Sequence, residues 1–196
     1  MKIRRLQREM NKRKKILMII DMQNDFITGV LGTPEAQAIV PKVVDKIKEY
    51  KRDGNMIIAT QDTHYSDYLG THEGKKLPIK HCVINTDGWQ LNKEVYDTLK
   101  GYNNYFNISK ATFGTGLIGT LLEEIFELDR TEKGEELEIE FVGLVADVCV
   151  ISNIICSQLR FPEAELTVDQ NCTAGTTPYL KECAMIVCKS LQVNVI

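Results

Sequence analysis

No apolar run in this chain approaches the roughly 18 residues that would suggest a membrane span. The N-terminus is basic but lacks the apolar stretch of a secretory signal. None of the six cysteines (Cys82, Cys149, Cys156, Cys172, Cys183 and Cys188) forms a C-x-x-C pair, and a chain of 196 residues buries a core without covalent staples. Reduced thiols and a cytoplasmic location are the expectation. No internal repeat is present, and no low-complexity segment beyond the basic start. Histidine is scarce as well: the chain has three, and all fall in one stretch at His64, His72 and His81.

Charge is abundant but uneven. Residues 1–15 hold eight Lys or Arg against one Glu, a local charge of +7 in a chain of net −3, so residues 16–196 carry −10. Residues 1–15 read as a basic, solvated extension and residues 16–196 as one domain. A basic arm suits nucleic acid or an anionic surface. The acidic body argues against nucleic acid as a main partner, and no membrane partner is expected.

Short apolar runs alternate with amphipathic stretches. Strands are predicted at 16–20 (ILMII), 56–60 (MIIAT), 104–109, 137–143 and 164–169, with a last one in VNVI at the C-terminus. Helices are predicted around Val40–Tyr50, over 115–127 with Leu117, Ile118, Leu121, Leu122 and Ile125 inward, over Val148–Leu159, and over Pro178–Ser190. The stretch from Gln61 to about Gln90 reads as one long irregular loop. Strands apolar on both faces, alternating with helices, predict a three-layer α/β/α domain around a mostly parallel, doubly wound sheet of about six strands.

Such sheets bind ligands beyond the carboxyl ends of their strands. The first polar groups there are Asp21 after the first strand, Asp62 and then His64 after the second, Lys110 after the third, and Asp147 with Cys149 after the fourth. A cysteine attacks as its thiolate and needs a group to handle its proton. Cys149 falls near a predicted helix start, which favours negative charge. Lys110 could add a cation, and Asp21 could accept the proton. Alone, a cysteine at a helix start is more often a packing residue; Asp and Lys arriving on neighbouring strand ends reverse that balance.

DMQNDF after the first strand, SKATFGT after the third and GLVADVCV at the fourth resemble the isochorismatase-like cysteine hydrolase superfamily, with its Rossmann-like fold. The resemblance runs from Ile16 to Ile196. It implies a triad of Asp21, Lys110 and Cys149. It also implies a non-proline cis peptide at Leu144–Val145, which aims the N–H of Val145, with that of Cys149, at a substrate oxygen as an oxyanion hole.

Histidines gathered with Asp62 and Glu73 in one loop suggest a metal site, the plain alternative being a polar surface loop. Within the superfamily, D-x-H at Asp62 and His64, and His81 in LPIKHC, are similar to the nicotinamidase branch, which implies Asp62, His64, Glu73 and His81 as ligands of a divalent metal, Zn²⁺ before Fe²⁺ or Mn²⁺. His72 is an alternative to Glu73. Tyr68 stands where many nicotinamidases have a second histidine, and DTHY replaces their DWHP. Such a metal would bind a pyridine nitrogen and seat a carboxamide beside Cys149. Phe26 is a candidate wall for a flat ring, with Phe113 and Trp89 weaker candidates, and core packing is the ordinary role for each.

The expected activity is cysteine-dependent hydrolysis of a small amide, nicotinamide to nicotinate and ammonia, through a thioester. Alternatives are a carbamoyl or ureido substrate, an isochorismatase, and a non-catalytic binding protein on the same fold, against which the intact triad argues. The resemblance also implies a homo-oligomer.

Overall fold

The structure is a computed structural model that describes residues 13–129 and 131–196. The basic extension lies outside the described residues as far as residue 12. Six strands are present: β1 (Lys14–Ile20), β2 (Met56–Asp62), β3 (Tyr105–Lys110), β4 (Leu137–Leu144), β5 (Glu165–Ala174) and β6 (Asn194–Val195). They form one sheet in the order β3-β2-β1-β4-β5-β6, with every neighbouring pair parallel. The helices among the described residues are α1 (Asn24–Ile27), α2 (Pro34–Arg52), α3 (His72–Lys76), α4 (Lys93–Leu99), α5 (Leu117–Phe126), α6 (Ile151–Arg160) and α7 (Pro178–Ser190).

The apolar strand sequences divide the core in two. In β1, Ile16, Met18 and Ile20 face a cluster that includes Ile118, Leu122, Ile154 and Met185 of α5, α6 and α7. Leu17 and Ile19 face the other cluster, with Val43 and Ile47 of α2 and Val95 of α4. This is the period-2 alternation of a strand covered on both sides. Gly143 in β4 takes φ +111°, and a Cβ there would lie 2.2 Å from the Ile20 carbonyl oxygen, so only glycine lets β4 lie against β1 at this point.

Several predicted boundaries move. α2 begins at Pro34, where the Thr33 side chain accepts from the Ala36 N–H at 3.0 Å, and it runs through Pro41. β5 continues past Asp169 to Ala174 through a bulge: Val168 pairs with Phe141, and Thr173 already pairs with Gly143. The long loop contains α3, and α1 and α4 are additional helices. Leu117, predicted inward, is 53% exposed, because α5 buries only Ile118, Gly119 and Leu122. The helix predicted over Val148–Leu159 is a π turn at Ala146–Val150 followed by α6.

Strand order reverses between β1 and β4. A crevice therefore opens beyond their carboxyl ends, between Asp21 on one side and the Val145–Cys149 turn on the other.

Candidate active site

Asp21 follows β1, is fully buried, and turns the chain with φ +48°, a conformation aspartate tolerates. Its Oδ1 accepts from the Thr60 hydroxyl at 2.6 Å. Its Oδ2 lies 2.7 Å from Lys110 Nζ. Lys110 ends β3, and its ammonium also reaches Cys149 Sγ at 3.6 Å and Asp62 Oδ1 at 3.7 Å. Strand ends thus deliver the carboxylate and the ammonium, and the π turn after β4 delivers the thiol. The Leu144–Val145 bond preceding that turn is cis, as the resemblance implied.

The electrostatics differ from the expected lowered thiol. Burial pushes the Cys149 thiol well up, and the Asp21 carboxylate adds to this, while Lys110 opposes both. The expectation from a helix start counted the dipole and the lysine and left out desolvation. Burial also raises the Asp21 carboxyl, against the attraction of Lys110. The ammonium of Lys110 is held charged: burial disfavours it, but Asp21, Cys149 and Asp62 outweigh that cost.

Beside the triad, Asp62, His64 and His81 are all buried and bring one potential ligand atom each within 4.8 Å of the others. His64 Nε2 is 2.9 Å from Asp62 Oδ2, and His81 Nε2 is 3.5 Å from it. His81 Nδ1 lies 2.8 Å from the Ile79 carbonyl oxygen, so this nitrogen carries the proton and leaves Nε2 free to coordinate. His64 Nε2 is buried without a well-formed hydrogen bond. A buried imidazole nitrogen without such a bond, facing a carboxylate and a second imidazole, fits a divalent ion with nitrogen and oxygen ligands. Burial works to raise the Asp62 carboxyl, but the two neighbouring imidazoles and the charge of Lys110 outweigh it and hold the group far below its usual range.

Glu73 Oε1 sits at 3.6 Å from His64 Nε2 and 3.7 Å from His81 Nε2, at the margin of the group. His72 is exposed on α3 and joins no such group. Tyr68 is fully buried: its ring packs 4.5 Å from that of His64 and 5.0 Å from that of His81, and its hydroxyl donates to the Leu77 carbonyl at 3.0 Å. Its ring is a wall that braces the two histidines.

A cavity of about 640 Å³ adjoins the site, lined by His64, Tyr68, Glu73, Leu77, Phe113 and Val148 among others; Asp21, Lys110 and Cys149 do not line it. Phe113 is 48% exposed into solvent-accessible space there. Phe26 is half-buried, its ring 5.5 Å from that of His81. Trp89 serves the scaffold: its indole N–H donates to Thr63 Oγ1 at 2.9 Å, and its carbonyl accepts from the side chains of Gln23 and Gln61. A second groove of about 630 Å³, between α2 and α7, contains none of the candidate residues.

Three residues were not singled out from sequence. Gln23 is fully buried, donates to the Asp62 and Trp89 carbonyls at 2.8 Å each, and accepts from the Asp62 N–H at 2.7 Å. Thr60 holds Asp21, and Asn153 bonds the carbonyl of Cys149. The glutamine within DMQNDF was the available signal for the first.

The family model described as the isochorismatase domain matches residues 15–196. The nicotinamidase of Saccharomyces cerevisiae is 27% identical over 175 residues, which cover 72% of this chain and 80% of that one. Among solved structures, a nicotinamidase/pyrazinamidase of Bacillus subtilis superposes with a TM-score of 0.77 at 23% identity, covering 93% of this chain and 98% of its own. A pyrazinamidase of Pyrococcus horikoshii, solved in complex with zinc, gives 0.77 at 24% identity over the same shares of the two chains. These likenesses bear out the fold class.

Proposed function

The chain belongs to the isochorismatase domain family, and from that premise we propose that it is a cysteine-dependent amidohydrolase that converts nicotinamide to nicotinate and ammonia. The observation that carries this reading is the buried Lys110 ammonium, 2.7 Å from Asp21 and 3.6 Å from Cys149 Sγ, next to the Asp62/His64/His81 group. The similarity to a yeast nicotinamidase supports the choice of amide.

In the resting site the thiol is neutral and Asp21 is its proton acceptor. Lys110 keeps the carboxylate charged and fixes it beside Sγ. When the carboxamide carbon arrives, Asp21 takes the thiol proton as the S–C bond forms. The N–H groups of Val145 and Cys149 hold the oxyanion. Asp21 returns its proton to the leaving nitrogen, which departs as ammonia. Water then attacks the thioester, Asp21 accepts its proton, and Cys149 regains it as nicotinate leaves. Asp62, His64 and His81, flanked by Glu73, would hold a divalent ion such as Zn²⁺, which when bound offers the pyridine nitrogen a ligand position and so orients the ring. Tyr68 braces its two imidazoles, and Phe26 and Phe113 wall the ring.

The test is ammonia release from nicotinamide by the full chain, before and after chelation and after adding back Zn²⁺, Mn²⁺ or Fe²⁺. Release that chelation abolishes and one ion restores is expected. No release under any of these conditions from metal-loaded protein would discard nicotinamide, and carbamoyl and ureido compounds would be assayed next.

A further inference from the structure

Asn153 is fully buried in the first turn of α6, four residues after the nucleophile. Its Nδ2 donates to the Cys149 carbonyl at 2.8 Å and to the Phe113 carbonyl at 3.1 Å, and its Oδ1 accepts from the Thr115 N–H at 3.1 Å. The partners fix the amide's orientation, since a flip would set its oxygen against two carbonyls. Asparagine is a weak choice inside a helix, so its presence there asks for a reason beyond helix formation.

The segment it grips is the loop that follows Lys110. Gly114 lets that loop lie directly on α6: a Cβ there would come within 2.8 Å of the Ser152 carbonyl oxygen and 2.9 Å of Cys156 Sγ. Thr115 then accepts from the Leu117 N–H at 3.2 Å and opens α5. Just before these anchors sits Phe113, which lines the cavity together with Val148, the neighbour of Cys149. One side chain therefore ties the cavity wall to the carbonyl of the attacking residue. No other side chain among the described residues bonds both.

We infer that Asn153 is a positioning residue that sets the Phe113 wall against the nucleophile turn, and so determines how flat aromatic acyl groups seat beside Cys149. This rests on the amidase reading for its substrate, but the coupling itself can be tested without one.

Asn153→Thr separates the two halves of the contact. A threonine hydroxyl bonds the carbonyl four residues back but is too short to hold the loop. For nicotinamide, KM should rise on the order of tenfold with kcat within about twofold, since the nucleophile keeps its bond and the wall does not. Alkylation of Cys149, followed by mass spectrometry of its peptide, gives the substrate-independent readout. Iodoacetamide should react within about twofold of wild type and N-phenyliodoacetamide should shift on the order of tenfold, because only the aromatic reagent meets the wall. In a Phe113→Ala background the same substitution should add nothing. Gly114→Ala, which displaces the loop without touching Asn153, should reproduce the aromatic-reagent shift and serves if Asn153→Thr does not fold. Equal shifts for both reagents, no shift for either, or an undiminished effect in Phe113→Ala would overturn the inference. If the reagents separate as expected but nicotinamide is not hydrolysed, the positioning role stands and the amidase reading fails.

Discussion

Lys110 Nζ forms an ion pair with Asp21 Oδ2 at 2.7 Å where both side chains are almost wholly removed from solvent. Neither charge is tolerable there alone, so the pair is an obligate unit. Asp21 also raises the Cys149 thiol, and Lys110 lowers it. The two residues therefore have opposite effects on thiol reactivity, while the proposed mechanism needs both. Asp21→Asn should cost at least about a thousandfold in amide hydrolysis, because the proton acceptor is gone. The same variant should react faster with iodoacetamide at Cys149 at pH 7, because losing the Asp21 charge lowers the thiol pKa. Lys110→Met should slow both reactions. Slower alkylation in Asp21→Asn would show that the carboxylate does not face the thiol as described.

The pH profile follows from the same pair. Burial raises the Asp21 carboxyl above its usual 3.8, with the nearby Asp62 charge adding to the effect. A raised pKa means that the proton is kept to a higher pH, so the base form is lost earlier on acidification. The acid limb of kcat/KM should accordingly lie above the ordinary aspartate range. Residual activity in Asp62→Asn, which removes a negative neighbour, should show that limb displaced to lower pH. An acid limb at or below 3.8 in the unmodified chain would contradict this assignment of Asp21.

The parts of the site that could be read from sequence are those that strand ends deliver. In a doubly wound sheet the polar residues just past the apolar runs point to the ligand crevice, and Asp21, Asp62 and Lys110 follow that rule, whereas past β4 Asp147 bonds Thr176 and Cys149, two residues on, supplies the thiol. His64 and His81 were legible because histidine is otherwise absent outside the loop that holds them. Gln23, Thr60 and Asn153 were not, since each is a single polar residue whose partners lie about forty positions away, and no local periodicity reports such a pairing. The continuation of β5 is hidden for a related reason: Asp169, Gln170 and Asn171 look like a strand end, but they form a bulge whose Asp169 pairs with Lys46 of α2, more than a hundred positions away. The thiol's electrostatics were misjudged because burial is a tertiary property.

Metal binding should be visible as stability. The ligand atoms of Asp62, His64 and His81 are held together in the fold and scattered in the unfolded chain, so an ion bound only by the folded state raises Tm. Chelated protein should gain Tm on Zn²⁺ addition, and Asp62→Ala should abolish the gain. Tyr68→Phe keeps the ring that packs on both histidines but loses the hydroxyl bond to Leu77. Calorimetric titration should show its affinity for the ion reduced about tenfold, in the range of an outer contact to a ligand set. An unchanged Tm on Zn²⁺ addition would count against the metal site.

Away from the chemistry, Lys46 of α2 pairs with Glu140 of β4 at 2.6 Å and Asp169 of β5 at 3.0 Å, all three side chains at most 16% exposed. Tyr50 donates to the second Glu140 oxygen at 2.7 Å. Asp169 Oδ1 accepts from the Asn171 N–H at 2.8 Å, and its carbonyl accepts from the Thr173 hydroxyl, so this carboxylate shapes the bulge that brings Thr173 and Ala174 alongside Gly143 and Leu144. Lys46→Met leaves two carboxylates without their cation and should destabilise the fold by about 3 kcal/mol, the usual cost of breaking a buried ion pair. The pH dependence has a definite sign. Burial works to raise the Asp169 carboxyl, but hydrogen bonding to Lys46 and Asn171 outweighs it and lowers the group below 3.8. A depressed folded pKa contributes stability that is present above the unfolded value and is lost as pH falls through the folded one. Denaturant titrations should therefore show the difference between wild type and Lys46→Met constant near neutrality and shrinking below about pH 4, as protonation removes from the wild type the interaction the variant already lacks. A difference that stays constant into that range would mean that Lys46 stabilises the fold through its packed methylene stem and not through its charge.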